Sequence, residues 1–172
     1  KEYVCVMRLH SQVSEDRIRA VLSEFQGAIY QRPPIRASVK RRLRTRKIYY
    51  LDFLEMDGRN VLFKVGCEAG TYIRKLCYDV GEALGCGAHM QELRRTRVGP
   101  LVENEGLVTL HDVAYMFAQW QETNDENLLK KFICPMEKSL ELLPKIYIRD
   151  SAVDAVCHGA HLAAPGVLSL DT

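Results

Sequence analysis

No apolar run in these 172 residues approaches the ~18 that a membrane-crossing helix needs, so a helical membrane span is excluded. The six cysteines (Cys5, Cys67, Cys77, Cys86, Cys134 and Cys157) form no C-x-x-C pair, and the five histidines are scattered. That spacing lacks the paired ligands of a zinc site, and no metal is expected. Most of the cysteines sit among apolar neighbours and read as reduced core residues, which points to a reducing compartment. Six prolines against 47% hydrophobic residues leave a chain too apolar to be disordered. There is no internal repeat, no low-complexity tract and no signal-peptide pattern. The chain opens on Lys1, not Met, and Glu2 to Met7 already reads as strand. A segment that opens inside a strand is expected to be a piece of a longer protein.

What is present is a charge asymmetry. The net charge of +2 conceals two unlike halves. Residues 1–100 carry 19 basic and 11 acidic side chains; residues 101–172 carry 5 and 11. A basic half joined to an acidic one suggests a polyanion-binding face.

The local patterns predict an α+β protein, with a mixed, largely antiparallel sheet flanked by helices. Tyr3 to His10 alternates as a strand. Ser14 precedes a helix whose Ile18, Val21, Leu22 and Phe25 fall on one face, with Gly27 as its stop. Ile48–Met56 and Val61–Cys67 flank Asp57-Gly58, a hairpin signal. Thr71 to Leu84 reads as a helix ended by Gly85, and residues 88–99 as extended. Thr109 with Asp112 opens a further helix, and Pro135 fits the first turn of another. Lys145 to Arg149 reads as a strand, and Ser151 with Asp154 as the cap of a short helix ending at Gly159. A boundary near Pro144 divides residues 1–144 from residues 145–172, which are too few for an independent domain.

Two segments carry chemistry. Residues 31–47 hold eight cations (Arg32, Arg36, Lys40, Arg41, Arg42, Arg44, Arg46, Lys47) and no acid, beside a rigid Pro33-Pro34. Their mutual repulsion disfavours packing on the body, and a phosphate backbone would relieve it and release counterions. A solvated loop is the plainer alternative. Arg94, Arg95 and Arg97 form a second cluster; on a regular strand Arg95 and Arg97 share a face and Arg94 points away. The second segment, Cys67 to Arg74, leaves a strand, passes a glycine and enters a helix. On a regular helix Tyr72 and Arg74 stand about 200° apart. They face one pocket only if this stretch is still extended. There an arginine could clamp a carboxylate and a tyrosine could stack on a ring; otherwise Tyr72 packs and Arg74 is solvated.

The run GTYIRKL, followed by YDVGEALGCGAHMQELRRTR, resembles the TruB/dyskerin family of RNA pseudouridine synthases. The likeness extends in order to KEYVCVMRLH, GAIYQRPPIRASVKRRLRTRKIYYLD and RDSAVDAVCHGA, which together span nearly the whole chain. QRPP, KRRLR and RDSAVDA resemble the archaeal and eukaryotic branch, the catalytic subunit of H/ACA guide-RNA particles, and CHGA leans archaeal.

This resemblance implies that Tyr3 stacks on an extruded uracil and is placed to handle its C5 proton. It implies that Tyr72 and Arg74 form a pair in which the arginine meets the catalytic aspartate, and that Leu93 lines the pocket. Residues 33–46 match a thumb loop on substrate RNA, so that Arg32, Lys40, Arg41, Arg42, Arg44 and Arg46, together with Arg94 and Arg95, are RNA-binding candidates. Residues from about Lys145 match the start of a PUA RNA-binding domain. The family's reaction detaches uracil from ribose, rotates it and rejoins it through C5, with no metal or organic cofactor; its logic is covalent catalysis by a carboxylate on a flipped base.

The implied partners are H/ACA guide RNA, substrate rRNA or tRNA, and small H/ACA core proteins, with no membrane. The implied location is cytoplasmic for an archaeal source and nuclear or nucleolar for a eukaryotic one. One departure is large. The family's nucleophile lies in a Gly-Thr-Leu-Asp-Pro-type motif upstream of K-x-Y, and these residues contain no such motif. The chain is therefore expected to be inactive alone. A non-catalytic RNA-binding module and a stand-alone tRNA-modifying enzyme stay open as alternatives.

Overall fold

The computed structural model describes residues 1–34, 40–103 and 106–171. The chain divides into two units, Lys1–Glu105 and Gly106–Thr172.

The first unit is α+β, as the patterns predict. Its strands are β1 (Glu2–Leu9), β2 (Gly27–Gln31), β3 (Arg44–Asp57), β4 (Asn60–Cys67), β5 (Ala88–Val98) and β6 (Leu101–Val102), and its helices are α1 (Glu15–Glu24) and α2 (Ile73–Leu84). They build one six-stranded sheet in the order β2-β3-β4-β1-β5-β6, with every pairing antiparallel. β1 lies between β4 and β5, so both of its edges are satisfied. Cys5, Met7 and Leu9 alternate onto one face and are buried with Val61, Phe63 and Val65 of β4. Ile18, Val21 and Leu22 of α1 and Ile73, Leu76, Cys77 and Val80 of α2 complete that core. Gly85 ends α2 in the left-handed conformation, φ 75°, as its position predicts. Gly27 instead stands two residues past the C-cap Phe25 and opens β2.

The reverse face of β1 carries a polar hub. Glu2 accepts from Tyr50 Oη and from Thr96 Oγ1 (2.7 Å), with Lys64 Nζ at 3.3 Å and Arg97 Nη2 at 3.7 Å. The Tyr50 ring lies across Gly66, where a Cβ would overlap it. The Tyr50 hydroxyl, then Thr96 and Lys64, hold the Glu2 carboxyl down at about 2 from its ordinary 4.5. Burial, then the same carboxylate, pushes the Tyr50 phenol up.

The second unit contains α3 (Leu110–Thr123), α4 (Asn127–Phe132), β7 (Lys145–Ile148), α5 (Asp150–Cys157) and β8 (Val167–Asp171). β7 and β8 pair antiparallel. Thr109 and Asp112 form the reciprocal capping box that their spacing predicts. Two local expectations are corrected. Pro135 precedes a 3-10 turn (Met136–Leu140), not an α-helix, and α5 starts one residue before Ser151, with Arg149 at its N-cap and no side-chain cap. Cys134 and Cys157 are exposed, while Cys5, Cys67 and Cys77 are buried.

Two outcomes follow from this packing. A Cβ on Gly81 would overlap the Ala88 backbone nitrogen, and strand backbone gives way less readily than a side chain. Gly81→Ala gains up to ~1 kcal/mol in helix propensity but separates α2 from β5, an overpacking cost of about 1–3 kcal/mol; urea unfolding is expected to give a lower midpoint. Because Glu2 is more acidic folded than unfolded, its contribution is complete above its ordinary value and lost as pH falls from about 4.5 towards about 2. In melting curves across that window, Glu2→Gln is expected to remove part of the wild type's acid-induced loss, whereas parallel curves would rule the hub out as its source.

Candidate functional site

β4 ends at Cys67, whose N–H donates to Lys1 O (2.8 Å), so the end of β4 lies beside the start of β1. A turn follows, in which Gly70 has φ 85° and the Arg46 guanidinium lies 3.3 Å from where a Cβ at Gly70 would stand. Thr71 Oγ1 closes the turn on Glu68 O (2.8 Å). Tyr72 is extended, φ −96° and ψ 101°, and α2 begins only at Ile73. This later start decides the geometry left open by the sequence: Tyr72 and Arg74 belong to one pocket.

The pocket is a cleft of about 290 Å³ lined by Tyr3, Pro34, Thr71, Tyr72, Ile73, Arg74, Met90 and Leu93. It is at the small end of the ~300–1,000 Å³ usual for small-molecule sites, a size that suits one nucleotide. Tyr3 enters from β1, on the same face as Cys5. Leu93 pairs with Cys5 and Met90 with Met7. Three residues apart on a regular strand, Met90 and Leu93 would face opposite ways. A register shift between Val6 and Met7 inserts one extra residue in β5 and turns both towards the cleft. Tyr3 and Tyr72 are half-buried, while Arg74 and Leu93 are exposed.

The four pocket residues singled out in the sequence (Tyr3, Tyr72, Arg74 and Leu93) thus come together. The basic residues do not form one patch. Residues 35–39 of the expected thumb loop lie outside the described residues. Arg44 and Arg46 belong to β3, not to a loop, and both are half-buried. Arg46 packs on the body beside Glu68, Nη1 to Oε1 3.6 Å, and the Lys47 N–H donates to the same carboxylate (3.1 Å). At the start of β3 an acid is therefore supplied by the turn below the cleft, which corrects, for Arg46 and Lys47, the expectation that repulsion keeps these cations off the body. Arg41 Nε donates to Pro33 O (3.1 Å). Arg32, Lys40, Arg41 and Arg42 are exposed.

The second cluster is also corrected. A second register shift, between Glu2 and Tyr3, sets Arg95 opposite Tyr3 on the cleft face and Arg97 opposite Glu2 on the reverse face. Arg94, opposite Val4, shares that reverse face and pairs with Glu103. Among the described residues no ion pair reaches Arg32, Lys40, Arg42, Arg74 or Arg95. No carboxylate lines the cleft among the described residues, and no group of three or more His, Cys, Asp or Glu could hold a metal there.

The sequence reading passed over Glu2, Glu68, Met90 and Gln31. For Gln31 no local signal existed, because both partners of its side-chain amide belong to the backbone of Tyr72, 41 residues away.

Comparison with known proteins agrees with this architecture. Residues 1–73 match the model of the TruB family pseudouridylate synthase N-terminal domain, residues 74–141 that of the tRNA pseudouridylate synthase B C-terminal domain, and residues 144–172 that of the PUA domain. A curated relative, the probable tRNA pseudouridine synthase B of Methanopyrus kandleri, is 60% identical over 171 residues, 99% of this chain and 50% of that protein. A chain of a Cbf5-Nop10-Gar1 complex superposes with TM-score 0.93 at 58% identity, covering 100% of this chain and 52% of its own. A chain of an H/ACA RNP bound to a substrate RNA containing 2'-deoxyuridine gives 0.89 at 55% identity, covering 99% and 50%. The chain spans about half the length of the curated relatives it matches. With two consecutive domain models of one family over residues 1–141 and this superposition over its whole length, the chain belongs to the TruB family of pseudouridylate synthases.

Proposed function

We propose that these residues form the base-binding side of an RNA uridine isomerase that takes its target from an H/ACA guide RNA and receives its nucleophilic carboxylate from outside the 172 residues. The observation that carries this reading is the cleft itself. It brings together two tyrosines and a guanidinium that has no ion pair among the described residues, with apolar walls and no carboxylate among its described lining residues. An arginine there can hold a carboxylate through a bidentate pair.

In the proposed mechanism a uridine leaves its stack and its ring lies on Tyr3, with Tyr72, Leu93 and Met90 excluding water. A carboxylate beside Arg74 bonds to ribose C1′ as the C1′–N1 bond breaks, and uracil leaves with the electron pair on N1. Uracil rotates, its C5 bonds to C1′ and displaces the carboxylate, and the C5 proton is lost on the Tyr3 side of the cleft to the solvent-exchanging proton pool from which N1 takes one up. Arg74 fixes the carboxylate in its ionised, nucleophilic form. No cofactor is needed, because each step is a bond exchange at carbon and a proton transfer.

Arg95, on the cleft face, and exposed Arg32, Lys40, Arg41 and Arg42 are suited to phosphates flanking the extruded base. Guide dependence, and small core proteins as partners, draw support from the H/ACA assemblies in which the superposing chains occur. We place the boundary to a PUA segment near residue 144, and the protein in the cytoplasm if its source is archaeal. A stand-alone activity on tRNA is the second reading, favoured by the names of the curated relatives.

The test uses the full-length polypeptide with RNA labelled with tritium at uridine C5. Tritium release is expected with the matching guide, and Arg74→Ala should lower the single-turnover rate about 100-fold or more, since it leaves a desolvated carboxylate unpaired. An unchanged rate would remove Arg74 from the site, and release from tRNA without any guide would favour the second reading. Replacing Arg32, Lys40 and Arg42 together by Gln should flatten the dependence of log K on log salt by about 2–3. An unaltered slope would exclude these side chains as phosphate contacts.

A further inference from the structure

Gln31 is 2% exposed, although Tyr30 and Arg32 on either side are exposed. Its side-chain amide pairs with both polar groups of the Tyr72 backbone. Nε2 donates to Tyr72 O (3.2 Å), and the Tyr72 N–H donates to Oε1 (3.0 Å). A side chain thereby copies the two-bond pairing that a neighbouring strand residue would make.

The site of this pairing matters. Tyr72 O is also the acceptor for Leu76 N–H (3.0 Å), the hydrogen bond that opens α2. A rotation at Tyr72 that began the helix one residue earlier would turn its N–H and C=O away from Gln31. The buried Gln31 amide would then lose both of its partners and the Tyr72 N–H its acceptor, which is costly, while Tyr72 O would keep only the Leu76 N–H. Gln31 therefore holds Tyr72 extended, and that conformation keeps Tyr72 and Arg74 in the same cleft. Gln31 also ends β2 and leads directly into exposed Arg32, buried Pro33 and Pro34, which is itself a cleft wall. The two prolines have fixed φ, so the amide, the wall and the first basic side chain form a stiff unit.

We propose that Gln31 is a positioning residue: through its double hydrogen bond to Tyr72 it sets the orientation of Tyr72 and Arg74 and ties that orientation to the start of the basic segment. This rests on the reading of the cleft as a uridine-isomerising pocket and names a determinant of its geometry that contacts no substrate.

The experiment uses the full-length polypeptide with guide and substrate RNA. Gln31→Met keeps the volume but removes both hydrogen bonds. Its RNA affinity is expected to stay within about twofold, while its single-turnover isomerisation rate falls about tenfold or more. Gln31→Glu separates positioning from packing. As a carboxylate it cannot donate to Tyr72 O; as a carboxylic acid it both donates and accepts, like the amide. The ratio of its rate to wild type is expected to rise as pH falls. A wild-type rate in Gln31→Met, or equal losses of rate and affinity, would overturn the proposal, as would a Gln31→Glu ratio independent of pH.

If the wild type releases no tritium, the functional reading fails, and amide hydrogen exchange still decides the link. In Gln31→Met, exchange at Tyr72 should accelerate about tenfold while that at Val80, further along α2, is unchanged. Unchanged exchange at Tyr72 would overturn it.

Discussion

The extended backbone at Tyr72 is the constraint on which the site depends. The chain leaves β4 after Cys67, turns at Gly70 and stays extended for one more residue before α2 begins. Had the helix started at Thr71, Tyr72 and Arg74 would have pointed about 200° apart, and one of them would have left the cleft. Because it starts at Ile73, an aromatic ring and a guanidinium line the same 290 Å³ cleft. Gln31 holds this conformation from the side with two hydrogen bonds, and Ile73, Leu76 and Cys77 hold it from below by burial in the core.

The sheet then brings Tyr3 to the same cleft. β1 has strands on both sides, and its two faces do different work. Cys5, Met7 and Leu9 fix one face in the core, at whose rim Tyr3 projects. On the other face Glu2 gathers Tyr50, Thr96, Lys64 and Arg97. The charges of the basic half are divided in the same way. Arg46, Arg94 and Arg97 have carboxylate neighbours in the fold, while Arg32, Lys40, Arg42 and Arg95 have none among the described residues. Only cations of the second kind can neutralise phosphate without first breaking an internal pair.

Most of the fold was legible because its signals are local. Alternation marked β1, Asp57-Gly58 marked the β3–β4 hairpin, and Gly85 marked the end of α2. Thr109 and Asp112 marked a capping box. The site was legible as a set of residue types, but its geometry was not. Two register shifts in β5 decide which way Arg95, Arg97 and Met90 face. A shift depends on how two strands distant in sequence pair, which no alternation within β5 reveals. The pairing of Arg46 with Glu68 crosses 22 residues and a strand, so the acid-free composition of residues 31–47 did not show that its β3 end packs on the body. Gln31 illustrates the same limit: its partner is a backbone 41 residues away, and nothing local to Gln31 identifies it.

The central claim is that this cleft receives an extruded uridine and, at Arg74, a carboxylate from outside the 172 residues. It is tested most directly by a crystal structure of the full-length polypeptide with guide RNA and a substrate carrying 5-fluorouridine at the target, whose C5 cannot lose a proton. The predicted result is the modified base stacked on the Tyr3 ring beside Tyr72 and Leu93, with the Arg74 guanidinium paired to an aspartate or glutamate from beyond these residues. A base bound elsewhere, with the cleft vacant and Arg74 on a phosphate or in solvent, would contradict it.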